Sequence, residues 1–316
     1  MKRRELLQRS AALGLGAAFP KVWQLSANAE PPLGPDWLEQ PTAGTNLSPL
    51  KPPAQGGIPV AFLISDDAVV IDFAGPWEVF GNVMIGNRMD LFRLYTVSET
   101  LKPIRASGGM QIIPDYTLET APAGKVIVIP AQSNSSEAVL EWIRKSSKTA
   151  DVTMSVCTGA YLLAETGLLA GKSATTHHGS YVDLAMKFPD IHVKRGARFV
   201  EDGNLASSGG LSSGIDLAFR VVERYYGREV AKQAAYDMEY QGRGWMDPAS
   251  NMLYAKTRTG TEAHPVCAVC SMNVIKDAAL TSSYKNKTYY FCSKEHKKQF
   301  DATPAKYVSN QNRNVP

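Results

Sequence analysis

Continuous apolar runs alternate with amphipathic stretches through the middle of the chain. Residues 59–64 (Pro-Val-Ala-Phe-Leu-Ile) and 126–129 (Val-Ile-Val-Ile) are almost unbroken in apolar character, as strands buried on both faces require. Residues 91–97 and 152–156 read as two further strands. Residues 76–84, 135–148, 158–165, 180–188 and 212–226 read as helices, and Val139, Leu140 and Ile143 mark the buried stripe of the second. Strands alternating with helices predict an α/β class: a parallel sheet with helices on both faces. Gly203-Asn204 has the composition of a hairpin turn.

Outside this block the pattern breaks. Residues 30–57 hold paired prolines and glycines with little apolar periodicity, the mark of a linker or a surface-hugging arm. Gly242-Arg243-Gly244 and Asp247-Pro248 close a large domain over 58–245. A polar connection, 246–262, leads to a small segment, 263–316, that carries three of the four cysteines, short strand-like pieces and a basic amphipathic helix near 293–300.

With 316 residues and 44% apolar composition, the chain can fill one large core and one small one. The formal charge is +4, and its distribution matters more than its sum. Before residue 30, Lys2, Arg3, Arg4, Arg9 and Lys21 stand against Glu5 alone, so the remainder is near neutral and no nucleic-acid partner is expected. Residues 1–29 combine Lys2-Arg3-Arg4, an alanine- and glycine-rich apolar run, and a small-x-small site at Ala27-Asn28-Ala29. This resembles a bacterial twin-arginine (Tat) leader more than an ordinary Sec signal, and implies a periplasmic or otherwise exported protein. The apolar run is too short to span a bilayer, so stable membrane insertion is not expected.

The chemistry concentrates at two places. In Ser155-Val156-Cys157-Thr158-Gly159-Ala160 a strand ends, a cysteine follows, and a helix begins. Such a turn lies at the carboxyl edge of an open α/β sheet, where ligands bind. A helix N-terminus favours a thiolate, so the Cys157 pKa is expected to fall, and nearby backbone N–H groups can serve as an oxyanion hole. The local pattern alone does not separate a nucleophile from a buried, inert thiol.

A resemblance shifts that balance. The cysteine string, Ala164-Glu165-Thr166-Gly167-Leu168-Leu169-Ala170-Gly171-Lys172, Ala174-Thr175-Thr176-His177, Ile71-Asp72-Phe73-Ala74-Gly75-Pro76 and Gly209-Gly210-Leu211-Ser212-Ser213-Gly214-Ile215-Asp216 together resemble the DJ-1/PfpI superfamily over about 58–245. The branch is isonitrile hydratase-like, shared with ligand-binding domains of AraC-type regulators. The resemblance implies a flavodoxin-like three-layer sandwich, related to class I glutamine amidotransferases, usually homodimeric, with Cys157 at a nucleophile elbow. It also implies catalytic roles for Asp72 and Thr158, with no cofactor required. Asp72 would move protons while the sulfur attacks an electrophilic carbon; the plainer reading of Asp72 is a helix-entry carboxylate. Protease-like members carry histidine directly after the cysteine; Thr158 stands there, which disfavours that activity. His177 and His178 sit at a strand end facing the expected pocket, and a hydrogen-bonded structural role fits them at least as well as catalysis.

The second place is Cys267-Ala268-Val269-Cys270 with Cys292-Ser293-Lys294-Glu295-His296. Cys267, Cys270, Cys292 and His296 form a tetrahedral donor set for a soft or borderline ion, and a metal could supply much of the folding energy of so small a segment. With Tyr289-Tyr290-Phe291-Cys292-Ser293, Phe300 and Pro304-Ala305-Lys306-Tyr307, the segment resembles the YHS/TRASH family and implies a treble-clef-like metal module. His264 replaces the usual acidic residue before Pro265, and His296 stands where cysteine is common. Zinc and copper are the leading ions, iron remains open, and Met272 is a candidate copper(I) ligand or a packing residue. A disulfide within this cysteine set is the alternative for an exported protein. The functional expectation is an exported, cysteine-dependent enzyme, isonitrile hydration being the most concrete candidate; the alternative is a non-catalytic periplasmic sensor of a small molecule or metal (copper or zinc), or a metal-handling protein that uses the same fold as a scaffold.

Overall fold

A computed structural model describes residues 49–255, 260–269 and 274–311. The sequence-predicted leader at 1–29, most of the 30–57 linker, and the side chains of Cys270 and Met272 lie outside the described residues.

The central strands form where the apolar runs lie: β1 (Ile58–Leu63), β2 (Phe92–Ser98), β6 (Val126–Ile129) and β7 (Val152–Val156). Short strands β3 (Ile104–Arg105), β4 (Gln111–Ile112) and β5 (Tyr116–Thr117) lie between β2 and β6, and β8 (Ser173–Ala174) and β9 (His192–Val193) form a small parallel pair later. The hairpin expected at Gly203-Asn204 joins β10 (Phe199–Asp202) to β11 (Leu205–Ser208), with Gly203 at φ 69°. Seven strands make one sheet in the order β10-β11-β7-β6-β1-β2-β5, parallel except for edge strand β10. Burial on both faces explains the lack of alternation: all four residues of β6 and all five of β7 are buried.

Helices cover both sides. On one face α2 (Glu137–Ser147), capped by Ser136 accepting from Val139 N–H at 3.3 Å, and α3 (Gly159–Glu165) bury Val139, Ile143, Leu162 and Leu163 against Ile127 and Ile129. On the other, α1 (Val70–Gly81) packs on α5 (Ser213–Tyr226). Helix α1 begins six residues before the expected start at Pro76, which lies inside it. Proline favours a helix start, but here tertiary packing prevails. A Cβ on Gly75 would lie 2.7 Å from Ile215 Cγ1, and one on Gly214 would lie 3.4 Å from Pro76 Cγ. The motifs 71–76 and 209–216 are therefore the two sides of one close helix contact. Helices α4 (Tyr181–Lys187) and α6 (Arg228–Asp237) complete the large unit. The architecture is the expected flavodoxin-like sandwich. No described helix is long and apolar enough to cross a membrane.

The polar connection after Trp245 packs onto the large unit as far as residue 255: Arg198 N–H donates to Pro248 O at 2.6 Å, and Trp245 is 2% exposed. The C-terminal segment is a two-stranded hairpin, β12 (Leu280–Tyr284) and β13 (Lys287–Phe291), followed by α7 (Lys294–Ala302) and α8 (Pro304–Gln311). Its turn places Lys285 and Asn286 at positive φ, as a two-residue hairpin loop demands. Phe300 fills its small core between Tyr289, Phe291 and Tyr307. Met186 of α4 packs against this core, and Lys306 Nζ donates to Met186 O at 3.1 Å.

Candidate functional site

Three parallel strands deliver the first site. Asp72 follows β1, Ala131 follows β6 and Cys157 follows β7, so all lie at the carboxyl edge near the point where strand order reverses, the place where open α/β sheets bind ligands.

Cys157 sits between β7 and α3 at φ 57°, a left-handed conformation that costs a non-glycine residue roughly 1–3 kcal/mol and persists only where the surroundings impose it. They do so here. Cys157 N–H donates to Gly209 O at 3.1 Å, and its carbonyl accepts from Thr176 Oγ1 at 2.9 Å. The next residue but one presses on the end of β6: a Cβ on Gly159 would lie 2.3 Å from Ile129 O. The Thr158 N–H, the Thr158 hydroxyl and the Leu211 N–H are the donors that favour the thiolate.

Asp72 lies in the first turn of α1, fully buried. Its Oδ2 accepts from Ala131 N–H at 3.1 Å, while buried Oδ1 has no hydrogen-bond partner among the described residues. Burial pushes the carboxyl up to about 7, against the pull of the Ala131 amide, so it carries a proton through the lower part of the neutral range. The Cys157 thiol is also raised, by burial first and by the negative charge of Asp72 second; the Leu211 and Thr158 donors act against this without reversing it. The expected lowering is not met, because burial and the facing Asp72 charge outweigh the donors at the turn. The result is two neighbouring buried acids in which the charge of Asp72, once formed, opposes ionisation of Cys157.

Structure thus brings Cys157, Asp72 and Thr158 together. His177 packs beside this group, its ring against Gly210, where a Cβ would lie 2.3 Å from Cδ2, and its Nδ1 accepts from Gly179 N–H at 3.1 Å. The His178 ring stacks on Tyr254 at 5.0 Å. Sequence reasoning missed Leu211 and Ala131 as contributors, because each acts through a backbone N–H that has no side-chain signature. Gly209-Gly210 before Leu211, itself at φ 47°, was the available signal for an unusual turn.

At the second site, Cys267, Cys292 and His296 bring their ligand atoms within 4.8 Å of one another. The Cys292 and Cys267 sulfurs lie 3.1 Å and 3.7 Å from His296 Nδ1. Tetrahedral zinc, with bonds of about 2.3 Å to sulfur and 2.05 Å to nitrogen, requires sulfur–nitrogen separations of about 3.5 Å. The donor set therefore fits such an ion, with Nδ1 as the ligating nitrogen. Cys267 is fixed by a bridge to Tyr290, and Cys292 and His296 flank the start of α7, where Ser293 accepts from His296 N–H at 3.2 Å.

These features define an α/β protein with a strained cysteine elbow and a separate thiolate–imidazole cluster. Residues 59–224 match the DJ-1/PfpI family model, and the chain belongs to that family. Residues 268–311 match the YHS domain model. The isonitrile hydratase of Pseudomonas putida is 33% identical over 186 residues, which span 57% of this chain and 78% of that protein. The HTH-type transcriptional regulator CdhR of Pseudomonas aeruginosa is 29% identical over 157 residues, 48% of this chain; the match spans about half of the regulator (46%). Among solved structures, a ThiJ/PfpI family protein from Pseudomonas syringae superposes with TM-score 0.53 at 26% identity, covering 69% of this chain and 85% of that one. Drosophila melanogaster DJ-1beta superposes at TM-score 0.51 and 18% identity, covering 59% of this chain and all of that one, a likeness of fold.

Proposed function

We propose that this protein is a cysteine-dependent hydratase that adds water to an isonitrile or a comparably electrophilic carbon, with Cys157 as nucleophile and Asp72 as acid and base. The observation that carries the reading is the strained Cys157 elbow facing a buried carboxyl whose Oδ1 is unpartnered and whose proton is held to about pH 7. The isonitrile hydratase relative supplies the reaction class.

Ionised Asp72 takes the Cys157 thiol proton and delivers it to the isonitrile carbon as the sulfur bonds to that carbon, giving a thioimidate. Water then adds across the C=N bond, hydroxyl to carbon and proton to nitrogen. Collapse of this adduct returns the hydroxyl proton to Asp72, breaks the carbon–sulfur bond and releases an N-substituted formamide. Thr158 and the Leu211 N–H stabilise the sulfur while it carries charge; hydrogen bonds to a charged group contribute about 1.5–3 kcal/mol each.

Cys267, Cys292 and His296, with Cys270 as the expected fourth ligand, would hold a transition ion, zinc or copper, that cross-links the two ends of the small module. The arginine pair and the Ala27-Asn28-Ala29 site support export, and the family's habit supports a homodimer.

Incubation with an isonitrile and glyoxal panel, followed by mass spectrometry of products, tests the reading. Formamide is expected from the intact protein, and none from Cys157→Ala or Asp72→Asn. Folded protein without turnover on any panel member contradicts it. The regulator relatives and the raised Cys157 thiol support a second reading, a ligand receptor, which predicts saturable ligand binding without product.

A further inference from the structure

The loop after β11 is tied to the Cys157 elbow, because Gly209 O accepts the Cys157 N–H, and it is unusually constrained. Leu211 holds φ 47° while its side chain is 45% exposed, so side-chain burial does not impose that conformation. The neighbours on either side do. Gly209 N–H donates to Arg198 O at 2.9 Å, and Gly209 O accepts the Cys157 N–H at 3.1 Å. The Arg198 side chain reaches over the same loop: Nη2 donates to Ser212 Oγ at 3.1 Å, Nη1 to Asn251 Oδ1 at 3.2 Å, and Nε to Asp216 Oδ2 at 2.6 Å. Asp216 is fully buried and its other oxygen accepts from Trp245 N–H at 2.9 Å. The guanidinium is therefore fixed from the α5 side and from the segment after Trp245. Its backbone and side chain grip the residues on both sides of Leu211.

We propose that Arg198 is a positioning residue for Cys157: with Asp216 and Asn251 as its anchors, it clamps the loop at Gly209 and Ser212, so that the Gly209 carbonyl holds the Cys157 backbone and the Leu211 amide is kept beside the elbow. This rests on Cys157 being the reacting group, and it reaches beyond that reading by assigning a role to a network on the far side of the loop. Arginine suits it because a planar fork binds three partners in fixed directions, which a lysine ammonium does not reproduce. The charged group that acts on the thiol is Asp72 of α1, which has no bond to the clamp among the described residues.

The test reads the thiol directly. The rate of iodoacetamide alkylation at Cys157 is followed by peptide mass spectrometry across pH in the unaltered chain, Ser212→Ala, Arg198→Lys and Arg220→Lys. Ser212 is exposed, so its replacement removes one arm of the clamp without disturbing the buried Asp216. Arg220 pairs with Glu201 in a buried bridge of similar kind on another part of α5, and serves as control. Loss of one amide from the thiolate moves the alkylation midpoint upward, by about one pH unit for Arg198→Lys and by less for Ser212→Ala. Arg220→Lys keeps the midpoint of the unaltered chain while its Tm falls. Midpoints unchanged in Ser212→Ala and Arg198→Lys overturn the proposal, as does an equal shift in Arg220→Lys. If Arg198→Lys fails to fold, Ser212→Ala decides alone. Because alkylation needs no isonitrile, absence of hydratase turnover and failure of the clamp are separate results.

Discussion

Asp72 keeps a buried oxygen without a hydrogen-bond partner among the described residues, an arrangement that costs stability and is therefore expected where chemistry requires it. Its raised folded-state pKa gives the cost a pH signature. The folded chain binds the proton more tightly than the unfolded chain, so this residue's contribution is most favourable below pH 4 and declines as pH rises to about 7. The difference of roughly three pK units corresponds to at most about 4 kcal/mol. Asp72→Asn retains an oxygen for the Ala131 N–H and carries no charge. It is expected to raise Tm relative to the unaltered chain more at pH 8 than at pH 5, measured by thermal melts in matched buffers. A gain that is equal at both values contradicts the ionisation account. At this scale, sequence made Cys157, Asp72 and Thr158 legible, because their side-chain chemistry is unusual at those turns. The sign of the Cys157 shift was not legible: it depends on how deeply the turn is buried and on which charge faces it, and both are tertiary facts.

Among the elements, the elbow between β7 and α3 depends on a glycine. A methyl group on Gly159 would meet the backbone oxygens of Ile129 and Pro130 at 2.3 Å and 2.7 Å, neither of which can rotate away. Gly159→Ala is expected to destabilise the chain by about 1–3 kcal/mol in urea unfolding and to slow alkylation at Cys157 as the turn shifts. Elements with long apolar runs, β1 and β6, were legible because double-sided burial leaves an unbroken pattern. The start of α1 was misplaced because Pro76 looks like a first-turn residue; the reason it is interior, the fit of Gly75 against Ile215, involves a helix far along the chain. Helix α6 follows α5 after Gly227 alone, at φ 86°, so local periodicity gave no separate signal for it.

Across the whole molecule, two chemical centres sit on units of different robustness. The large unit has a sheet of seven strands, whereas the C-terminal segment packs a few aromatic side chains around Phe300 and leans on α4 through Met186 and Lys306. A metal held by Cys267, Cys292 and His296 would tie that segment's two ends together. Adding a strong chelator to metal-loaded protein is expected to increase hydrogen exchange in β13 and α7 while leaving β6 and β7 protected. Metal content should fall from one ion per chain in Cys292→Ser and His296→Ala. Protection in β13 that is indifferent to the chelator contradicts a structural metal. The contact between the segment and α4 also explains why sequence gave no indication of docking: Met186 and the Lys306–carbonyl bond, which contribute to it, have no motif.

The most direct test of the account is the pH dependence of Cys157 alkylation in the unaltered chain beside Asp72→Asn. If sulfur and carboxyl form one coupled pair, removing the carboxyl charge lets the thiolate form at lower pH, and the midpoint moves down from an unaltered value above that of an ordinary thiol. Identical midpoints in the two chains, or a Cys157 that resists alkylation at every pH in folded protein, would contradict it.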